Sequence, residues 1–135
     1  MTDATATTPR RTHIAVRVLE IAAALFFALS AVPKLMGQDE VRETFDKIGF
    51  GDGFMYLIGG LELAGAVALL IPALAGLAAS AFLALMAGAT ITHIVVLDGE
   101  GVLVPVIAAV PVACIAWARR ERTAELLRRV AGRAA

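Results

Sequence analysis

The 135-residue chain has little of what most catalytic or structural sites are built from. It has one cysteine, Cys114, which excludes an intrachain disulfide and any Cys-x-x-Cys redox pair. It has two histidines, His13 and His93, and no metal-site spacing, so no metal site is expected. The single intramembrane histidine excludes an intrachain bis-histidine haem, although a dimer would bring two copies of His93 together. Phosphate-binding glycine loops and nucleophile motifs are absent, and so is any basic patch for nucleic acid. The formal charge is zero, so the total selects no partner, and charged residues are only 18% against roughly 25% in ordinary domains.

What is present is apolar. Hydrophobic residues make up 59% of the chain and mean hydropathy is +0.81, well beyond the roughly 45–50% apolar content of globular domains. Four apolar runs stand out, Ile14 to Met36, Phe54 to Pro72, Leu74 to Leu97 and Val102 to Ala118, each near the roughly 17–25 residues that a helix needs to cross a bilayer. Hydrocarbon offers the backbone no hydrogen-bond partners, so the spans must be helices. The expected fold class is all-α: a four-transmembrane-helix bundle over residues 14–118, between a disordered N-terminal segment, 1–13, and a basic tail, 119–135.

Charge placement gives an orientation. Arg10, Arg11 and Arg17 flank the first run, and Arg119, Arg120, Arg122, Arg128, Arg129 and Arg133 follow the fourth, so both termini are expected to be cytoplasmic. The acidic connections, Gly37 to Gly53 and Asp98 to Gly101, then lie outside. Trp117 and Tyr56 fall at the inner and outer interfaces. Within the first connection Val41, Phe45 and Ile48 recur at helical spacing, consistent with a short interfacial helix or a plain polar loop. Leu126, Leu127 and Val130 between arginines leave the tail as either an interfacial helix or a solvated one. Arg10 and Arg11 ahead of "IAAALFFALSA" resemble a signal peptide, but Arg17 and Glu20 interrupt the run and it continues to Met36, so retention of the first span is expected.

Few ionisable residues fall inside the runs, and three belong to the outer half: Lys34 in the first, Glu62 in the second and His93 in the third. Each costs on the order of 2.5–3.5 kcal/mol to insert, so such groups turn inward, pair, and often mark function. Gly59, Glu62 and Gly65 share a face at i, i+3, i+6, which lets a neighbouring helix close around the carboxylate; Gly88, Ala89 and Thr92 offer a similar small surface around His93. Either the three residues only hold helices together, or they form a substrate-binding site. In the second reading Lys34 keeps Glu62 ionised, and Glu62 and His93 act as catalytic acid–base groups. Arg17 and Glu20 are expected to form a local i, i+3 pair. Cys114 is expected to pack in the interior, and Pro105 and Pro111 to kink the fourth span.

The order and spacing of "SAVPKL" with Lys34, Phe45 and Gly49, "GGLELAGA" around Glu62, and Ala89 with His93 resemble the DoxX-like family of small four-helix membrane proteins. Ser30 and Ala31 stand where that family often has a glycine before the lysine. The resemblance runs from about Arg17 to Ala118. It implies a bacterial-type inner-membrane protein of the multi-pass kind, since the family takes its name from subunits associated with quinone-linked sulfur oxidation. Other members are parts of membrane oxidoreductase complexes or assembly factors. The leading expectation is therefore an oxidoreductase-associated membrane subunit binding a quinone or similar small hydrophobic ligand at Lys34, Glu62 and His93. A membrane-embedded isomerase or cyclase and a non-catalytic assembly partner stand beside it. The expected partners are the lipid bilayer, that small hydrophobic ligand, and a partner subunit or a second copy.

Overall fold

A computed structural model describes residues 4–134 of the chain, with side chains from residue 10 onward. The described residues form six helices and no strands: α1 Ala4–Leu35, α2 Asp39–Ile48, α3 Gly51–Leu70, α4 Ala75–Val95, α5 Leu103–Ala118 and α6 Arg120–Ala134. Four spanning helices were expected, with a helix or a loop in the first connection and in the basic tail left open; both of those segments are helical. The Thr- and Ala-rich stretch expected to be disordered is helical from Ala4 onward, because alanine carries no cost in a helix that the adjoining span already nucleates. Residues 1–3 of that stretch lie outside the described residues.

Three helices are long and apolar enough to cross a membrane: α1 from Arg10, α3 and α4. The fourth apolar run reaches that standard only when α5 is taken together with α6, across a 67° bend. Burial is distributed as lipid contact requires. Alanines such as Ala31, Ala75 and Ala79 are fully buried, while Leu29 is 71% and Val95 73% exposed. Small residues inside and large apolar ones outside make sense only where the surrounding medium is itself apolar.

Helix packing follows the seams. In α3 the buried positions are Met55, Gly59, Glu62, Ala66 and Leu69, alternating steps of four and three, which is the spacing of a left-handed helix–helix seam. α1 presents Glu20, Ala24, Phe27 and Ala31 at the same spacing, and Lys34 falls next in register, half-buried. α1 packs chiefly on α3 and α4 chiefly on α5, and α3–α4 and α1–α5 contacts close the ring. At mid-bundle the Phe27 and Phe82 rings stack 3.8 Å apart and 11° from parallel. Gly65 makes this possible, because a Cβ there would collide with the Phe82 ring.

The two ends of the ring are closed differently. At one end α2 lies over it. Asp39 and Glu40 open this helix, Lys47 sits in its last turn and Gly49 caps it at φ +92°, each matched to the helix dipole or to the left-handed cap. An Arg42–Asp52 ion pair of 3.2 Å clips it to the start of α3. Hydrogen bonding to Tyr56 and then the charge of Asp52 raise the Arg42 pKa above its ordinary value. Gly37, at φ +65°, leaves the Tyr56 hydroxyl and the Arg42 guanidinium the space that a Cβ would fill. Phe45, Val41 and Ile48 point into the bundle, so the apolar face expected on the membrane surface covers the ring instead.

At the other end Glu20, with no exposed surface, takes two arginines. Arg17 Nη1 lies 3.1 Å from Oε2 and Arg119 Nε lies 2.7 Å from Oε1. Arg17 also donates to the Leu70 carbonyl at 2.8 Å, and Arg119 Nη1 lies 3.1 Å from His13 Nδ1. The expected local pair is thus one arm of a cluster joining α1, the end of α3 and the α5–α6 corner. Gly76 lets the start of α4 lie against the same corner, beside Thr123 and Arg119. Cys114, expected to pack inside, is exposed; the α5 seam runs through Pro105, Ala108, Val112 and Ile115 and leaves it on the outer face. Glu20→Ala strands two guanidiniums and is expected to cost about 3 kcal/mol, read as a fall in melting temperature in detergent. Arg119→Gln, which leaves the Arg17–Glu20 contact, is expected to cost less.

Candidate functional site: an apolar cavity with a buried carboxylate

Beneath α2 the ring encloses a cavity of about 840 Å³, within the range of small-molecule sites. All of the first five helices line it. Its wall is mainly aromatic and aliphatic, with Phe26, Phe27, Phe45, Phe54, Ile58, Leu85 and Met86, and the polar groups that enter it include Ser30, Lys34, Glu62, Thr92 and His93.

The carboxylate of Glu62 is 95% buried because its position belongs to the α3 seam. α1 reaches it closely at Gly59, where a Cβ would press on Lys34 Cβ at 3.0 Å and on Leu35 Cγ at 3.1 Å. Lys34 Nζ lies 3.1 Å from Glu62 Oε2 and donates to both the carbonyl and the hydroxyl of Ser30, each at 3.0 Å. The Ser30 hydroxyl donates in turn to Glu62 Oε1 at 3.3 Å. Lysine, serine and glutamate therefore form one closed chain. Within it Oε2 lies against the ammonium and is itself shielded from solvent, while the Glu62 side chain borders the cavity.

His93 borders the same cavity from α4, but no hydrogen bond joins it to Lys34 or Glu62. Its Nδ1 pairs with the Glu100 carbonyl in the α4–α5 connection. A carbonyl only accepts, so Nδ1 carries the proton and Nε2 of the neutral ring is an acceptor. Gly101, at φ +68°, packs against this ring. Gly88, expected to let a helix approach, has open space beside it and helps form the cavity wall. No group of His, Cys, Asp and Glu among the described residues is arranged to hold a metal.

Of the three residues singled out in the sequence, Lys34 and Glu62 are brought into contact and His93 shares only their cavity. Ser30 is the member that sequence reasoning missed. It lies one helical turn before Lys34, a spacing that could have pointed to it.

The DoxX-like family model matches residues 18–117. The chain belongs to the DoxX-like family. The matched region takes in every residue of the cavity and ends two residues before Arg119. Comparison with curated proteins and with solved structures finds no match. With apolar helices of spanning length, this DoxX-like chain is an integral membrane protein.

The pair is asymmetric. Lys34 keeps two Ser30 acceptors without Glu62, whereas Glu62 without Lys34 keeps one hydroxyl. Lys34→Met is therefore expected to lower the melting temperature in detergent more than Glu62→Gln does. Adding Glu62→Gln to Lys34→Met is expected to recover most of the loss, by on the order of 2 kcal/mol.

Proposed function

We propose that the protein is a four-span subunit of an oxidoreductase system in a bacterial-type inner membrane, with both termini cytoplasmic, and that its cavity binds a small hydrophobic molecule of the quinone class. The observation that carries this reading is a buried carboxylate, held by Lys34 and Ser30, at the wall of a mainly apolar cavity. The volume suits a ring with part of an isoprenoid tail, and the apolar wall suits a ligand arriving from lipid. Bound in its quinol form, such a ligand would supply the two-electron, two-proton chemistry that no side chain of this protein can, with the electrons passing to a partner subunit as the protons are taken up by the side chains.

The residues divide the remaining work. Lys34 pairs with Glu62, and Ser30 fixes the orientation of its Oε1. The Glu62 carboxylate accepts a hydrogen bond, and then a proton, from a ligand hydroxyl. His93, with Nδ1 committed to Glu100, offers Nε2 as a second acceptor on another wall. Lys34, Glu62 and His93 are thus the substrate-binding set, and Glu62 and His93 the proton-handling pair.

Purification in mild detergent followed by mass spectrometry of the extracted lipid is expected to yield a lipid-soluble quinone. Glu62→Gln is expected to retain the wild-type fold and to weaken binding of a soluble quinone analogue by roughly 10- to 100-fold, the loss of one charge-assisted hydrogen bond. Gly88→Leu fills open space and is expected to exclude the analogue with little change in melting temperature. Wild-type affinity in both variants would sink the proposal.

A further inference from the structure

α6 takes no part in the cavity. We propose that it is a membrane-surface anchor, lying along the bilayer at the α5–α6 corner with its apolar stripe at the acyl boundary and its arginines on acidic phospholipid headgroups.

Orientation comes first. α6 turns 67° away from α5, so with α5 along the bilayer normal α6 lies nearer to the membrane plane than to the normal. No residue of α6 is buried. At 100° per residue, Thr123, Leu126, Leu127 and Val130 fall on one face; Thr123 packs beside Gly76 and Leu126 is half-buried. Leu127 stays 52% and Val130 58% exposed, an apolar stripe that the protein does not cover.

Charge identifies what covers it. α6 carries five arginines against two glutamates. Arg122 and Arg133 border one edge of the stripe and Arg120 the other, with Arg129 of the Arg129–Glu125 ion pair farther round, whereas Arg128 lies on the far side with Glu121 and Glu125. An apolar stripe edged by cations, with both glutamates of the helix on the opposite face, is the pattern of a helix on an anionic lipid surface. A second copy of this chain would set the same arginines against one another. The corner itself carries an interfacial marker: Trp117, 70% exposed, with the Arg120 guanidinium 4.2 Å over its ring. Trp and Arg side chains of this kind settle at headgroup depth.

The test uses the full-length protein with Cys114→Ser, carrying an environment-sensitive fluorophore on either Leu127→Cys or Glu125→Cys. It is reconstituted into phosphatidylcholine vesicles with or without phosphatidylglycerol and probed with acrylamide, a neutral quencher. Shielding is expected at position 127 and not at 125, stronger with phosphatidylglycerol and reduced by salt. Arg133→Gln is expected to weaken the docked population about fivefold, the equivalent of roughly 1 kcal/mol per arginine at a charged surface, and Arg128→Gln, on the far side, to weaken it less. Salt titration of the otherwise unaltered labelled protein reads the same quantity if either variant fails to fold. Equal quenching at the two positions overturns the proposal. Shielding that ignores phosphatidylglycerol overturns it too, as does shielding that follows the protein-to-lipid ratio, which assigns the stripe to a second copy.

Discussion

Two carboxylates buried in the seams of the bundle set the arrangement of everything else. Glu20 and Glu62 occupy positions where a leucine would pack, one near each end, and each must find a cation on another part of the chain. Glu62 finds Lys34, which locks α3 to α1 beneath α2. Glu20 finds Arg119, which locks α1 to the α5–α6 corner while Arg17 reaches the end of α3. Sliding α1 along α3 by one turn would break both sets at once. In lipid, where apolar packing discriminates weakly between registers, paired charges specify the alignment that alanines and glycines then allow to close.

The same constraint separates the two sites in character. Around Glu20 each carboxylate oxygen has its own guanidinium. Around Glu62 a single cation is shared with Ser30, and the larger cavity begins. The carboxylate at the helix corner has cations to itself; the one beside the cavity divides its cation with a hydroxyl. Gly65 and Gly88 draw the same boundary in volume, since one receives the Phe82 ring and the other faces open space.

Much of this was legible in the sequence, because membrane depth is a one-dimensional quantity. Counting residues from the ends of the runs put Lys34, Glu62 and His93 in one half of the bilayer, and the family resemblance rests on the same residues. What could not be counted was direction around each helix. His93 has the expected depth, yet its Nδ1 is taken by a carbonyl seven residues on, in a loop whose glycines fold it back. Cys114 looked internal because its neighbours are apolar, but in lipid both faces of a helix are. Arg119 was read with the other tail arginines as an orientation signal, and nothing local marks it as the one that turns in to Glu20. Ser30 stands out in the sequence only as a departure from the family's glycine, and nothing there marks its hydroxyl as a partner of Glu62. Tracing the four-three seam through Glu20, Ala24, Phe27, Ala31 and Lys34 would have exposed both buried pairs.

The bend after α5 also bears on the membrane itself. Sixteen residues rise about 24 Å, several ångströms short of a hydrocarbon core of roughly 30 Å. With α5 as the fourth span, the bilayer must thin beside it or the corner must sink, while α3, opposite it in the ring, is long enough for full thickness. The protein then carries a gradient of hydrophobic thickness across its own width. Such mismatch costs fractions of a kcal/mol per ångström, enough to tilt the bundle and to favour thin bilayers, or neighbours whose own short helices share the thinned lipid.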